Sequence, residues 1–261
     1  IEPPHDGWTW DQFRATAMSL TEGDVDGVGI DPQIIRLAPF VWSNGGEITD
    51  DPVTPTRFTL DVAPAREAFE FLVSLVRAGA VPTEEELASQ DAETRFLNGK
   101  LAMLLSSRRD TPQFREVVTL KWDVLPLPVA REPAGILHSD AYCISAASDA
   151  IPSAADLVAW ATSREGQTIA ALSGRTVPSL MEVANSETFL DPSQPPAHSE
   201  VFLEAIEHIR STPVLPTWPE IEEVAEEIMT KAFYEEGYTI DDAIRELDER
   251  TRPLFEEAAQ G

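Results

Sequence analysis

The chain has 261 residues, of which 43% are hydrophobic, a formal net charge of −27 at pH 7 and an isoelectric point near 4.3. This length and apolar content suffice for one large or two modest domains, while the strong acidity argues against nucleic acids and anionic membrane surfaces as partners. The single cysteine, Cys143, excludes an internal disulfide.

The first hundred residues show an alternation of predicted helices and strands. Thr9-x-x-Gln12 has the form of a capping box, in which two side chains bond the first free amides of a helix, here running to about Leu20. Asn44-Gly45-Gly46 is a strong turn signal. Apolar spacing and end signals predict further strands at Gly27–Ile30 and Leu101–Leu105, and further helices over Pro32–Val41, from Pro64 to Gly79 and from Thr83 to Phe96.

The rest of the chain also shows predicted strands that alternate with predicted helices. Two more strands are predicted, at Trp122–Pro128, where prolines end the ladder, and at Ala141–Ala147. The predicted helices begin at caps near Ser153, Ser163, Thr217 and Thr239, with one more over Val201–Ile209. Strands that alternate with helices indicate an α/β fold class.

Signals for catalysis and for metal binding are weak. The four histidines lack ligand spacing, and no calcium loop, Walker loop or glycine-rich dinucleotide motif is present. His138 and Cys143 could pair as base and nucleophile. On a strand, however, side chains five residues apart face opposite sides, and the apolar neighbours of Cys143 would keep its thiol inert. The sequence therefore predicts no cofactor, no metal and no enzyme activity.

Two motifs in a fixed order resemble a known family. Phe96-Leu-Asn-Gly-Lys-Leu-Ala-Met103 is followed by Trp122-Asp-Val-Leu-Pro-Leu-Pro128. This order resembles the second lobe of the family 1 extracellular solute-binding proteins, the sugar-capturing subunits of bacterial ABC importers, a class that includes maltose-binding protein. The resemblance implies a type II periplasmic-binding-protein-like fold. It also implies a leader upstream and a chain that starts at the crossover segment Gly7–Phe13, without the N-terminal part of the first lobe.

The resemblance further implies a division into lobes and a function. Residues 1–136 would form the first part of the second lobe, 137–178 would belong to the first lobe, and 179–261 would return to the second lobe as helices. The expected protein is a monomeric extracytoplasmic receptor, periplasmic or a cell-surface lipoprotein. It would close two lobes around a carbohydrate or related polar solute and present it to ABC permease subunits in the membrane, without catalysis or cofactor.

Sugar capture needs flat aromatic faces and polar groups that satisfy hydroxyls. The resemblance places loops with such groups along the ligand cleft. The ligand-binding candidates are Trp42, Asn44, Ser107, Arg108, Arg109, His138, Ser139, Asp140, Arg175, Thr176 and Trp218.

Several candidates have a structural alternative. Trp42 suits a core position as well as a sugar platform. Arg108 and Arg109 stand where many relatives have a glycine and a tryptophan. They favour a polar or anionic ligand, or else they offset nearby acid. Arg175 could cap carbonyls at a helix end, and Trp218 is expected to staple the start of its helix.

Two other classes of function stay open. A secreted hydrolase of esters or glycosides would use His138 and would lose turnover on His138→Ala. An extracellular interaction scaffold would gain no thermal stability from small solutes. Sugars, sugar acids, glycerol phosphodiesters and polyols all suit the binding-protein hypothesis.

Overall fold

The computed structural model describes residues 7–260, and its helices and strands alternate along the chain. In chain order they are α1 (Trp10–Leu20), β1 (Asp26–Gly29), α2 (Ile34–Ser43), α3 (Ala63–Arg77), α4 (Glu84–Ser89), α5 (Ala92–Leu97), β2 (Leu101–Leu104), α6 (Thr111–Glu116), β3 (Gly135–Ile136), α7 (Ile151–Ala161), α8 (Arg164–Ser173), α9 (Met181–Ala184), α10 (Glu200–Glu204), β4 (Ile209–Arg210), α11 (Trp218–Tyr234) and α12 (Ile240–Ala258). Short 3₁₀ turns lie at Arg108–Asp110 and Ala205–His208.

These elements form two compact units. The first unit contains the chain up to Leu105, the segment Leu127–Leu137 and the chain from His208 onward. The second unit contains Ser106–Pro126 and His138–Glu207. The assignment of residues 1–136, 137–178 and 179–261 to two lobes stays a prediction.

Two parallel strand pairs lie in the first unit. Strand β1 pairs with β2 in the register Asp26↔Leu101 and Val28↔Met103, and β3 pairs with β4. Helix α1 crosses β1 so closely that a Cβ on Gly27 would lie 2.0 Å from the Ala17 carbonyl oxygen. Glycine is therefore required at this position of the strand.

The main hydrophobic core belongs to the first unit. Helices α2, α3, α11 and α12 supply most of it, because each presents one apolar face inward. The largest enclosed side chains there are Phe13, Ile30, Ile34, Leu37, Phe40, Trp42, Leu60, Phe69, Leu72, Leu75 and Phe255.

The second unit has few buried side chains and a large exposed apolar surface. Phe189 is its most enclosed large residue. Helix α7 has no buried residue, although it is largely apolar: Leu157 is 63% and Trp160 45% exposed. Tyr142, in the loop before α7, is 62% exposed.

Most helix ends agree with the sequence signals. The capping box of Thr9 and Gln12 is present, Ser163 caps α8, and Thr239 caps α12. The single helix predicted from Thr83 to Phe96 is wrong. It is two helices, because the Asp91 side chain accepts a hydrogen bond from the Thr94 amide and starts α5 anew.

Two further cap predictions are wrong. Helix α7 begins at Ile151, ahead of Ser153, with Pro152 in its first turn, where a missing amide proton does no harm. Thr217 precedes α11 without capping it, because its hydroxyl donates to the Leu254 carbonyl oxygen of α12 (2.9 Å).

Two predicted strands do not form. Trp122–Pro128 belongs to no strand of the described structure, since Pro126 and Pro128 have no amide proton to donate to a ladder. Ala141–Ala147 is a loop of exposed residues, because no described segment supplies the ladder that a strand needs. Cys143 is therefore exposed, and the expectation that apolar neighbours shield its thiol is wrong.

Among residues 7–260, no helix combines the length and the apolar character needed to cross a lipid bilayer.

Candidate functional site

Trp42 lies near the end of α2 and is 2% exposed, inside the core of the first unit. The Arg210 guanidinium, on β4, lies 4.9 Å from the centre of its ring and also pairs with Glu47 (2.5 Å). The structure thus places Trp42 as a core aromatic under an arginine, with its outer side already occupied.

Asn44 ends α2 and is 6% exposed. Its amide donates to the Pro64 carbonyl oxygen (3.0 Å) and to the Glu67 carboxylate (2.8 Å), so it ties the turn after α2 to the start of α3. Gly45 follows with φ +75°, a conformation that glycine adopts without strain.

Ser43 was not singled out in the sequence, yet it anchors the segment Leu127–Leu137. Its buried hydroxyl donates to the Glu132 carbonyl oxygen (2.7 Å) and accepts from the Ala130 amide (2.9 Å). Its own carbonyl oxygen accepts from the Arg131 amide (2.9 Å). The partners lie nearly ninety residues away in the chain, and no local pattern predicts such contacts.

Trp218, the first residue of α11, is 7% exposed. Its ring centroid lies 6.1 Å from that of Phe58 and 6.5 Å from that of Phe255. This is the packing role that the sequence favoured for Trp218.

The carboxyl end of β1 carries polar groups that sequence analysis overlooked. Asp31 lies there, 3.6 Å from the Arg36 guanidinium. Burial, with the negative charges of Asp31 and Glu84, raises the pKa of Tyr234, whose hydroxyl has no hydrogen-bond partner among the described residues. Ligands of α/β proteins collect at the carboxyl ends of strands, and that rule could have identified Asp31.

Ser107, Arg108 and Arg109 lie at the 3₁₀ turn at the start of the second unit. Arg109 is exposed, whereas Arg108 is 5% exposed and has its guanidinium over the ring of Phe189 (4.1 Å to the centroid). Burial and the positive charge of Arg115 lower the pKa of Arg108 to about 10. The alternative that Arg108 offsets nearby acid is wrong, because no described carboxylate forms an ion pair with it.

His138, Ser139 and Asp140 lie in the exposed loop before α7. Because this loop is not a strand, the strand-alternation argument against a His138–Cys143 pair does not apply. All three residues are exposed, and their role as ligand contacts stays a prediction.

Arg175 and Thr176 follow Gly174, the left-handed residue that ends α8 (φ +80°). Arg175 is exposed, and the helix-end carbonyl oxygen of Leu172 accepts from Arg115 instead (Nη1, 3.4 Å). A Cβ on Gly174 would lie 2.7 Å from that same Arg115 nitrogen, and the positive φ of Gly174 favours glycine there.

Arg115 is thus a central residue that the sequence analysis missed. Its Nε also donates to the Pro195 carbonyl oxygen (2.7 Å). It adjoins the turn before Arg175, and its charge acts on Arg108. Within the second unit, the structure therefore brings the Arg108 and Arg175 regions together around a third arginine.

A His–Asp pair in the second unit was also missed. The His198 ring Nδ1 lies 2.6 Å from the Asp123 carboxylate, which also accepts from the His198 amide (3.1 Å). The hydrogen bond and charge of Asp123 raise the pKa of His198 above 6.5. Both side chains are at the surface.

We expect the His198 pair to give a specific pH dependence. Because the folded pKa is raised, its contribution to stability is complete below pH 6.5 and is lost as the pH rises through the folded pKa. NMR titration of the His198 ring should give a midpoint above 6.5, and Asp123→Asn should return it to about 6.5. Equal midpoints in the two proteins would contradict the pair.

In residues 7–260, no group of three or more His, Cys, Asp or Glu side chains could hold a metal ion.

A comparison of the chain with protein-family models identifies the family to which it belongs. Residues 2–197 match the family model described as bacterial extracellular solute-binding protein, which is most of the chain. The chain belongs to the bacterial extracellular solute-binding protein family. Among the curated protein sequences, none matches it.

Solved structures show the fold of this solute-binding protein. An ABC substrate-binding protein from Listeria monocytogenes in complex with cycloalternan is similar, with 22% identity and a TM-score of 0.85, over 98% of this chain and 66% of that one. A solute-binding protein from Thermotoga lettingae bound with alpha-D-tagatose has 18% identity and a TM-score of 0.79, over 96% and 65%. A maltose/maltodextrin-binding domain from Bdellovibrio bacteriovorus bound to maltotriose has 17% identity and a TM-score of 0.78, over 100% and 68%.

These matches confirm the predicted type II periplasmic-binding-protein-like α/β fold. The chain spans about two thirds of the length of these relatives.

The candidate residues of this solute-binding protein fall into two groups. The first group lies in the first unit and consists of Trp42, Asn44 and Trp218, which are buried and already packed or hydrogen-bonded. The second group lies in the second unit and consists of Ser107, Arg108, Arg109, His138, Ser139, Asp140, Arg175 and Thr176. All of these except Arg108 are at least partly exposed.

Proposed function

We propose that this protein works outside the cytoplasm as the substrate-binding component of an ABC importer, capturing a carbohydrate or related polar solute without chemical change. The family match over residues 2–197 carries the proposal. The relatives of similar fold add support, since the first three described were solved with cycloalternan, alpha-D-tagatose and maltotriose.

The mechanism we propose is a shift of conformational population. Two lobes close around the solute, and residues 1–136 with 179–261 would supply one lobe while 137–178 belong to the other. The solute favours the closed form only by the difference between its affinities for the closed and open states. The closed form would then be presented to permease subunits in the membrane.

The exposed polar residues of the second unit are the proposed solute contacts. Ser139, Asp140 and Thr176 offer hydroxyl and carboxylate groups that can satisfy sugar hydroxyls, and Arg175 offers an exposed guanidinium. Trp42, Asn44 and Trp218 would act indirectly, by shaping the first unit.

A thermal-shift series tests the proposal. The intact protein is heated with neutral sugars, sugar acids and phosphorylated polyols, and a solute at one hundred times its dissociation constant should stabilise it by about 2.7 kcal/mol. Arg175→Ala should weaken that solute by roughly tenfold, the effect of about 1.4 kcal/mol of lost interaction. Arg164→Ala is the matched control, because Arg164 is also an exposed arginine of the second unit and pairs with Glu182.

Absence of stabilisation by every solute class would contradict the proposal and favour the interaction scaffold. The hydrolase alternative is tested with chromogenic esters and glycosides. We expect no turnover by the intact protein, whereas turnover that disappears in His138→Ala would favour the hydrolase.

A further inference from the structure

The Arg108 guanidinium is buried and packs against two aromatic rings. Its Cζ atom lies 4.1 Å from the ring centroid of Phe189 and 5.0 Å from that of Phe202. Its Nη1 donates to the Ser199 hydroxyl (3.2 Å), and that buried hydroxyl donates to the Pro196 carbonyl oxygen (3.2 Å). The orientation of the guanidinium is therefore fixed by packing and by one hydrogen bond.

One complete edge of this guanidinium has no partner. Both Nε and Nη2 are buried and form no hydrogen bond with any described residue. These two nitrogens make up one of the forks with which arginine binds two oxygens of a carboxylate or phosphate at once. Two unsatisfied buried donors side by side are unusual, because such groups are nearly always bonded.

The charge of Arg108 is equally uncompensated. No described carboxylate pairs with it, and the charged group that acts on it is another cation, Arg115. Arg115 itself donates hydrogen bonds to carbonyl oxygens, and the negative charge that acts on it is that of Asp191. A buried cation without a counter-charge is unfavourable, and the two phenyl rings offset only part of this.

We propose that the Nε–Nη2 edge of Arg108 is a binding site for an oxyanion, a carboxylate or phosphate group. The group belongs either to the captured solute or to a free anion; the first source rests on the proposed function and makes the solute acidic. Arg108 is itself 5% exposed, whereas Arg109, the next residue, is exposed. Arg115 adds a second positive charge to attract the anion.

NMR of the Arg108 Nε–H group tests the site directly. The signal is assigned by its absence from Arg108→Lys, and inorganic phosphate is titrated at constant ionic strength against sodium chloride. We expect a saturable shift of this signal in the wild-type protein. Calorimetry should show phosphate binding at least tenfold weaker in Arg108→Lys, which keeps the charge but loses the fork. Arg164→Lys is the matched control, because Arg164 is an exposed arginine of the same unit that pairs with Glu182, and it should stay within twofold of wild type.

D-glucuronate and D-glucose identify the source of the anion. A shift with both phosphate and glucuronate supports a site for any oxyanion, and a shift with glucuronate alone supports the acid group of a solute. An Arg108 signal unmoved by either anion, or equal affinity in Arg108→Lys, would overturn the site. Glucose binding that leaves the Arg108 signal unshifted would support the proposed function. The results with phosphate and glucuronate would then decide separately whether Arg108 binds an oxyanion.

Discussion

Trp42→Ala is expected to lower the free energy of unfolding by about 3–5 kcal/mol, the usual effect of removing a large aromatic ring from a core. The ring is 2% exposed, and the Arg210 guanidinium that covers it would lose its aromatic partner. Urea denaturation followed by circular dichroism measures the change. Trp160→Ala is the matched control, because Trp160 is 45% exposed, and it should change stability far less.

Comparable losses in the two variants would contradict the burial of Trp42. A stable Trp42→Ala protein that loses solute affinity would instead revive the sugar-platform interpretation. Trp42→Phe separates volume from ring identity, since it should recover part of the stability.

Arg95→Ala is expected to destabilise the protein by about 3–5 kcal/mol, because it leaves a largely buried carboxylate without its counter-charge. Arg95 on α5 is 5% exposed and pairs with Asp26 of β1 (2.5 Å) and Glu86 (3.4 Å). The pair links the start of the parallel strands to the helix that precedes β2. The same urea series measures the loss.

A surface pair and a double variant sharpen this second test. Arg252→Ala breaks the exposed pair with Asp248 and should change stability far less than Arg95→Ala does. Arg95→Met combined with Asp26→Leu should recover much of the loss, because it removes both charges together. A loss in the double variant as large as in Arg95→Ala would show that packing, rather than the unpaired charge, dominates.

The sequence predicted well what depends on neighbours in the chain. The capping box of Thr9 and Gln12, the cap at Ser163 and the left-handed stop at Gly174 each involve bonds within a few residues. Such interactions do not depend on contacts with distant parts of the chain.

Features that depend on distant segments could not be predicted in this way. Ala141–Ala147 has a strand-like composition, but a strand needs a partner from elsewhere, and none of the described residues provides one. Ser43 and Arg115 acquire their roles from contacts 89 and 57 residues away.

In the candidate site, too, the local sequence did not predict the surroundings of individual side chains. An apolar helix such as α2 gives no local indication of whether Trp42 faces a core or a solute. For Arg108, local acidity suggested a counter-charge, yet its actual surroundings are Phe189, Ser199 and Arg115. Which groups surround a buried charge is decided by tertiary packing.

The central claim is that the protein holds a polar solute without altering it. The most direct measurement is calorimetric titration of the intact protein with the solute that gives the largest thermal shift, followed by NMR analysis of the solute recovered after denaturation. We expect saturable binding of one solute per protein and recovery of the solute chemically unchanged. Recovery of a cleaved or modified solute, or failure of every tested solute to bind, would contradict the account.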